Sequence, residues 1–174
     1  MIKQDGTDVT GGIQNDLLHR VEVCTTDFDQ GQVYDQLIAA TAGQVGAVVV
    51  FVGLVRDHGK FEQKDQPVET LTLEHYPGMT EKSIEGIVAK ARQRWPLLAS
   101  HVIHRVGELS ACEQIVLVAV ASAHRSAAFA AAEFIMDYLK TDAILWKREA
   151  GAGGSTWIES TAEDKQRQSQ WQSD

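Results

Sequence analysis

"SHVIHRVGELSACEQIVLVAVA", residues 100–121, holds two apolar runs separated by a short polar break. In SHVIHRVGEL (100–109) apolar and polar residues alternate, the period of a strand with one face on a core. QIVLVAVA (114–121) is almost wholly apolar and reads as a second strand. Strands this close in sequence are hairpin-like neighbours, and hairpins belong to α+β folds rather than to a doubly wound parallel sheet. The fold class expected is therefore α+β.

Working outward, LHRVEVCT (18–25) alternates as a strand, and Asp27 or Asp29 can cap a helix with Val33, Leu37, Ile38 and Thr41 on one face, ended by Gly43. VGAVVVFVG (45–53) is a nearly continuous β-branched run, which predicts a strand buried on both faces. After Arg56, Asp57 and His58 comes the polar stretch GKFEQKDQPVE (59–69), expected to be a mobile loop. TLTLEHY (70–76) predicts a strand and Pro77-Gly78 a turn. From Thr80 a helix follows, with Ile84, Ile87, Val88, Ala91 and Trp95 on one apolar stripe and Pro96 as its stop. Beyond the hairpin, SAHRSAAFAAAEFIMDYLK (122–140) is the longest helix, capped by Ser122, with Ala127, Ala131, Phe134, Ile135 and Tyr138 facing the core. A short strand is expected near 156–159. The resulting division is a flexible leader (1–16), one domain (17–160) with three main helices, and a polar C-terminal tail (161–174).

Composition narrows the function. The chain has 174 residues, 44% of them hydrophobic, enough for one domain with a proper core. Its formal net charge of -8 argues against general nucleic-acid binding, which relies on many Lys and Arg contacts to phosphate. The N-terminal residues lack the apolar run of a signal peptide and no later run reaches transmembrane length, so a cytoplasmic location is expected. Cys24 and Cys112 are far apart, without the spacing of a disulfide framework or a zinc site. His75, His101 and His104 also lack ligand spacing and read as strand residues.

Against this acidic background the cations of MDYLKTDAILWKRE (136–149) stand out. Lys140 and Lys147 flank the apolar DAIL and Trp146. If they converge, each lowers the pKa of the other and makes one amine available near neutrality. The alternative is two lysines that carry their amines out to solvent. His124 and Arg125 stand in the first turn of the longest helix, the wrong end for cations unless an anion sits there. Arg56 follows a buried strand at its C-terminal end, a position where sites form, although an ion pair with Asp57 would explain it equally.

GAVVVFVGLVRDH, LTLEHYPGMTEK, IHRVGEL, SAHRSAAFAAAEFIMDYLKT and WKREA, in this order, resemble the large, catalytic subunit of molybdopterin synthase over roughly residues 17–160. The resemblance implies an α/β hammerhead fold with a mixed or antiparallel sheet and a central homodimer. It also implies a heterotetramer, each large subunit receiving the Gly-Gly C-terminus of a small ubiquitin-like sulfur carrier. The carrier's thiocarboxylate would supply sulfur to cyclic pyranopterin monophosphate in two rounds, making the dithiolene of molybdopterin, with no cofactor and no metal. By the same resemblance Arg56, His124 and Arg125 match substrate-anion positions, Lys140 and Lys147 match the lysines of the transfer centre, and Arg148 and Glu149 complete the second motif. Lys140 is then the residue nearest the thiocarboxylate carbon and Lys147 its electrostatic or acid/base partner.

Two positions depart from the family pattern: Leu54, where many relatives carry a lysine, and DAIL, where others have an Ala-Pro pair before the Trp-Lys. The chain has no Gly-Gly at its end, so the carrier is expected to be a separate chain. A non-catalytic scaffold binding the carrier or a phosphorylated ligand is the alternative function.

Overall fold

A computed structural model describes residues 18–57, 68–151, 154–158 and 160–172. The leader and most of the 59–69 stretch lie outside these residues. The elements in chain order are β1 (His19–Cys24), α1 (Gln30–Ala40), β2 (Ala47–Leu54), β3 (Val68–His75), α2 (Met79–Arg94), β4 (Leu97–Arg105), β5 (Gly107–Ser110), β6 (Gln114–Ser122), α3 (Arg125–Thr141), β7 (Leu145–Gly151), β8 (Gly154–Ile158) and α4 (Ala162–Gln170). The expected α+β class holds, with strands in two sheets.

The first sheet has the order β1-β4-β6-β2 and is mixed: β1 runs parallel to β4, while β4–β6 and β6–β2 are antiparallel. Its two faces follow the two-residue period of β6. Val116, Val118 and Val120 pack with Ile84, Ile87, Phe134 and Ile135 of α2 and α3. Leu117, Ala119 and Ala121 face the other way, onto Val33 and Leu37 of α1. Burying each large side chain, such as Phe134 or Ile135, stabilises the fold by roughly 1.5–3 kcal/mol. The second sheet, β5-β3-β7-β8, is antiparallel throughout, and Leu71, Leu73, Val106 and Leu109 form its core with Val55.

Several expectations need correction. The 100–109 run is not one strand: it breaks after Arg105, and Gly107, at φ 93°, turns the chain out of the first sheet into the second. The 45–53 run is not buried on both faces. Among the described residues β2 is an edge strand paired only with β6, and Val50, Phe51 and Leu54 remain 36%, 42% and 53% exposed. Ser122 does not cap α3, because β6 runs through it; the N-cap is His124, which makes no side-chain capping bond. Ser122 Oγ instead donates to the Pro96 carbonyl and accepts from the His124 amide. A fourth helix, α4, covers most of the polar stretch read as tail, and β7 forms where no strand was read.

α4 has no apolar stripe of its own. Its N-terminus is held by a capping box in which Thr161 and Asp164 exchange bonds. Just past its end, the Trp171 ring stands edge-on to Trp95 and Phe134, with centroids 5.7 and 5.6 Å away.

Candidate functional site

The connection from α3 to β7 carries the two lysines. Lys140 is the penultimate residue of α3, and Lys147 lies in β7 with Leu73 of β3 on one side and Ile158 of β8 on the other. The turn between them is tied down from α2. Thr80 Oγ1 donates to the Ile144 carbonyl at 2.8 Å and Ser83 Oγ to the Asp142 carbonyl at 3.0 Å. The DAIL segment is thus held by polar bonds from a neighbouring helix.

This arrangement brings Lys140 and Lys147 together. Burial, reinforced by the positive charge of Lys140 and opposed by the carboxylate of Asp164, holds the Lys147 amine below the ordinary lysine value. Lys140 itself is half-exposed, and its Nζ lies 3.4 Å from Asp164 Oδ1. On the inner side stands buried His104. Its Nδ1 donates to the Arg105 carbonyl at 2.8 Å, and burial, with a further contribution from Lys147, brings its pKa down to about 4. Near neutral pH the imidazole is uncharged and adds no third positive charge to the pair.

Asp164 is ionised throughout the physiological range. Burial acts to raise its pKa, but the Thr161 hydroxyl and amide and the Lys140 ammonium together hold it at about 2. Neither His104 nor Asp164 was among the expected site residues. A signal for Asp164 exists in T-A-E-D (161–164), which has the spacing of a capping box.

The other expected residues are distributed differently. α3 packs back along β6, so its C-terminal end lies beside the Gln114 end of that strand. Leu54 pairs with Gln114, which places the exposed Arg56 at the same end of the sheet as the lysines. His124 and Arg125 lie at the opposite end, exposed at the α3 N-terminus. Fifteen residues of helix separate Arg125 from Lys140, about 22 Å at 1.5 Å per residue. The structure therefore does not bring His124 and Arg125 to the lysines within one chain. Arg148 alternates with Lys147 along β7 and points to the other face, its guanidinium 5.8 Å from the Trp157 ring centre. Glu149 has its backbone in β7; its side chain is outside what the structure describes.

A lysine pair with one depressed amine can stabilise negative charge at a carbonyl or exchange a proton with it. The uncapped N-terminus of α3, with a histidine and an arginine beside it, suits an oxyanion.

Comparison with known proteins gives a consistent result. Residues 23–142 match the model of a family described as MoaE protein. The chain is 52% identical over 154 residues to the molybdopterin synthase catalytic subunit of Vibrio cholerae serotype O1, covering 88% of this chain and 99% of that one. Among solved structures, it resembles a molybdopterin biosynthesis MoaE protein from Burkholderia ambifaria MC40-6 with a TM-score of 0.75 and 40% identity, over 90% of this chain and 99% of the other. It also resembles molybdopterin synthase from Staphylococcus aureus with a TM-score of 0.70 and 32% identity, over 79% of this chain and 95% of the other.

Proposed function

The chain belongs to the MoaE protein family, and on that premise we propose that Lys140 and Lys147 form its sulfur-transfer centre. The protein is the catalytic subunit of molybdopterin synthase, a sulfurtransferase of molybdenum cofactor biosynthesis. It works with a small sulfur-carrier subunit whose C-terminal thiocarboxylate is the sulfur source, and cyclic pyranopterin monophosphate is the acceptor.

One observation carries the assignment of the centre: two lysines seven residues apart in sequence stand on either side of the joint of α3 and β7, near enough for the charge of Lys140 to add to burial in disfavouring the charged form of Lys147. In this reading the half-exposed Lys140 meets the carrier's terminal carbonyl and balances the negative charge that develops there. Lys147, deeper and less basic, is the group able to hold or release a proton. Arg56 lies at the same end of the sheet and supplies a further positive charge to an anionic substrate.

His124 and Arg125 take part through a second copy of the chain. They are too far from the lysines of their own chain, yet they flank an uncapped helix N-terminus suited to the substrate phosphate. The apolar residues left uncovered support a homodimer: Val50 and Phe51 on edge strand β2, and Phe129, 64% exposed on α3. A location in the cytoplasm fits the two free cysteines, Cys24 and Cys112, which suit a reducing compartment. The direct experiment mixes the protein with thiocarboxylated carrier and cyclic pyranopterin monophosphate and assays molybdopterin. Formation of product is expected; carrier binding without product would leave only a scaffold.

A further inference from the structure

We propose that Asp164, on the C-terminal helix, is a positioning residue for sulfur transfer: its fixed carboxylate holds and orients the Lys140 ammonium. The proposal rests on the assignment of Lys140 to the transfer centre.

The carboxylate is fixed before it meets the lysine. Its Oδ2 accepts from the Thr161 amide at 3.0 Å and from Thr161 Oγ1 at 2.6 Å, while the Asp164 amide donates back to Thr161 Oγ1 at 3.2 Å. Those bonds occupy one oxygen and leave Oδ1 for Lys140 Nζ, 3.4 Å away. The Asp164 side chain is only 17% exposed, against 50% for Lys140, so the acid is the anchored member of the pair.

α4 is itself docked around this contact. Trp171 Nε1 donates to Asp137 Oδ2 at 2.8 Å, and Gln168 Nε2 donates to Asp142 Oδ1. Asp137 and Asp142 lie three residues before and two residues after Lys140, so α4 grips the end of α3 on both sides of the lysine. An exposed ion pair on free side chains would hold little, because both partners would lose rotamer freedom to form it. Here one partner is already immobile and only the lysine has to order.

Among the described residues, the charged and titratable groups that act on Lys147 or are acted on by it come from three other elements: His104 from β4, Lys140 from α3 and Asp164 from α4. Asp164 is the acidic member of that set, and its charge opposes the fall in basicity of the Lys147 amine. It thus tethers one lysine and limits the loss of charge on the other.

Asp164→Asn separates this role from a structural one, because the amide oxygen still accepts from Thr161 and keeps the cap of α4. The expected result is a single-turnover rate lower by about tenfold or more, the scale of effect when a reacting group is misplaced. The carrier's KM changes little, and the limb of the pH–rate profile set by the lysine pair moves to lower pH. Asp164→Glu recovers part of the rate. In a Lys140→Ala background, Asp164→Asn causes a smaller further loss, because only its effect on Lys147 remains. A wild-type rate and pH profile in Asp164→Asn, or the same fold loss with and without Lys140, overturns the proposal. A readout independent of turnover is NMR titration of 13C-methylated Lys147, whose midpoint falls in Asp164→Asn; an unmoved midpoint is a second contradiction. If the wild-type protein makes no molybdopterin, the functional reading fails, while this titration still decides whether Asp164 acts on the pair.

Discussion

Arg125 and Lys140 stand at opposite ends of a single helix, fifteen residues and about 22 Å apart, and no rotamer brings their charged groups together. If both serve one substrate, each site takes Arg125 from one copy and Lys140 from the other. Arg125→Ala and Lys140→Ala are each expected to be nearly inactive alone. When the two variants are co-assembled, half the dimers are mixed and each mixed dimer regains one intact site, so activity returns to about a quarter of wild type. Activity no higher than that of either parent would place both residues' roles within one chain.

Gly46 links the fold to the anion end of α3. Its amide donates to the Ser122 carbonyl, and a Cβ at this position would lie 2.3 Å from the Ala123 carbonyl oxygen, which is backbone and cannot swing aside. Gly46→Ala should therefore destabilise the protein by about 1–3 kcal/mol, the usual cost of forcing atoms into a packed site. It should also weaken substrate binding, because Ala123 leads directly into His124 and Arg125. Urea unfolding together with calorimetric titration of the substrate tests both halves.

His104 makes stability depend on pH. Its pKa is about 4 in the folded chain against 6.5 when unfolded, so between those values the unfolded state binds more protons. Stability is full above pH 6.5 and falls as the pH drops through the window, by roughly 1.4 kcal/mol per unit. His19, lowered to about 4 mainly by burial, acts in the same direction. His104→Asn keeps a donor for the Arg105 carbonyl but cannot take up the proton. Urea unfolding at pH 7 and pH 4.5 should show a smaller acid loss in this variant; an identical loss would remove His104 as a cause.

The parts of the fold legible in the sequence were those whose burial follows a simple period. The stripe on α2 was read correctly because one face of that helix packs on the core, and the apolar run of β6 because that central strand is buried on both faces. β7 escaped notice because LWKREAG alternates poorly and becomes a strand through pairing with β3 and β8 on either side. β2 was apolar for a different reason than the one inferred. Its composition looks like two-sided burial, yet part of it is left uncovered by its own chain. The lysine pair was visible from its spacing around an apolar turn. His104 and Asp164 were not, since they reach the pair from elements distant in sequence, and the separation of Arg125 from Lys140 follows only once α3 is known to be unbroken.

Lys140 is the residue on which the proposed transfer centre depends most, and the most direct test of its role is single-turnover molybdopterin formation with saturating thiocarboxylated carrier. Lys140 is half-exposed and, among the described residues, its ion pair is with Asp164, so Lys140→Ala should fold and bind the carrier as wild type does. Its rate of product formation should fall on the order of 10² to 10³, the usual consequence of removing a group that stabilises developing charge. Lys140→Arg should restore little, because a guanidinium differs in shape and does not give up a proton. Near-wild-type turnover in Lys140→Ala would contradict the account.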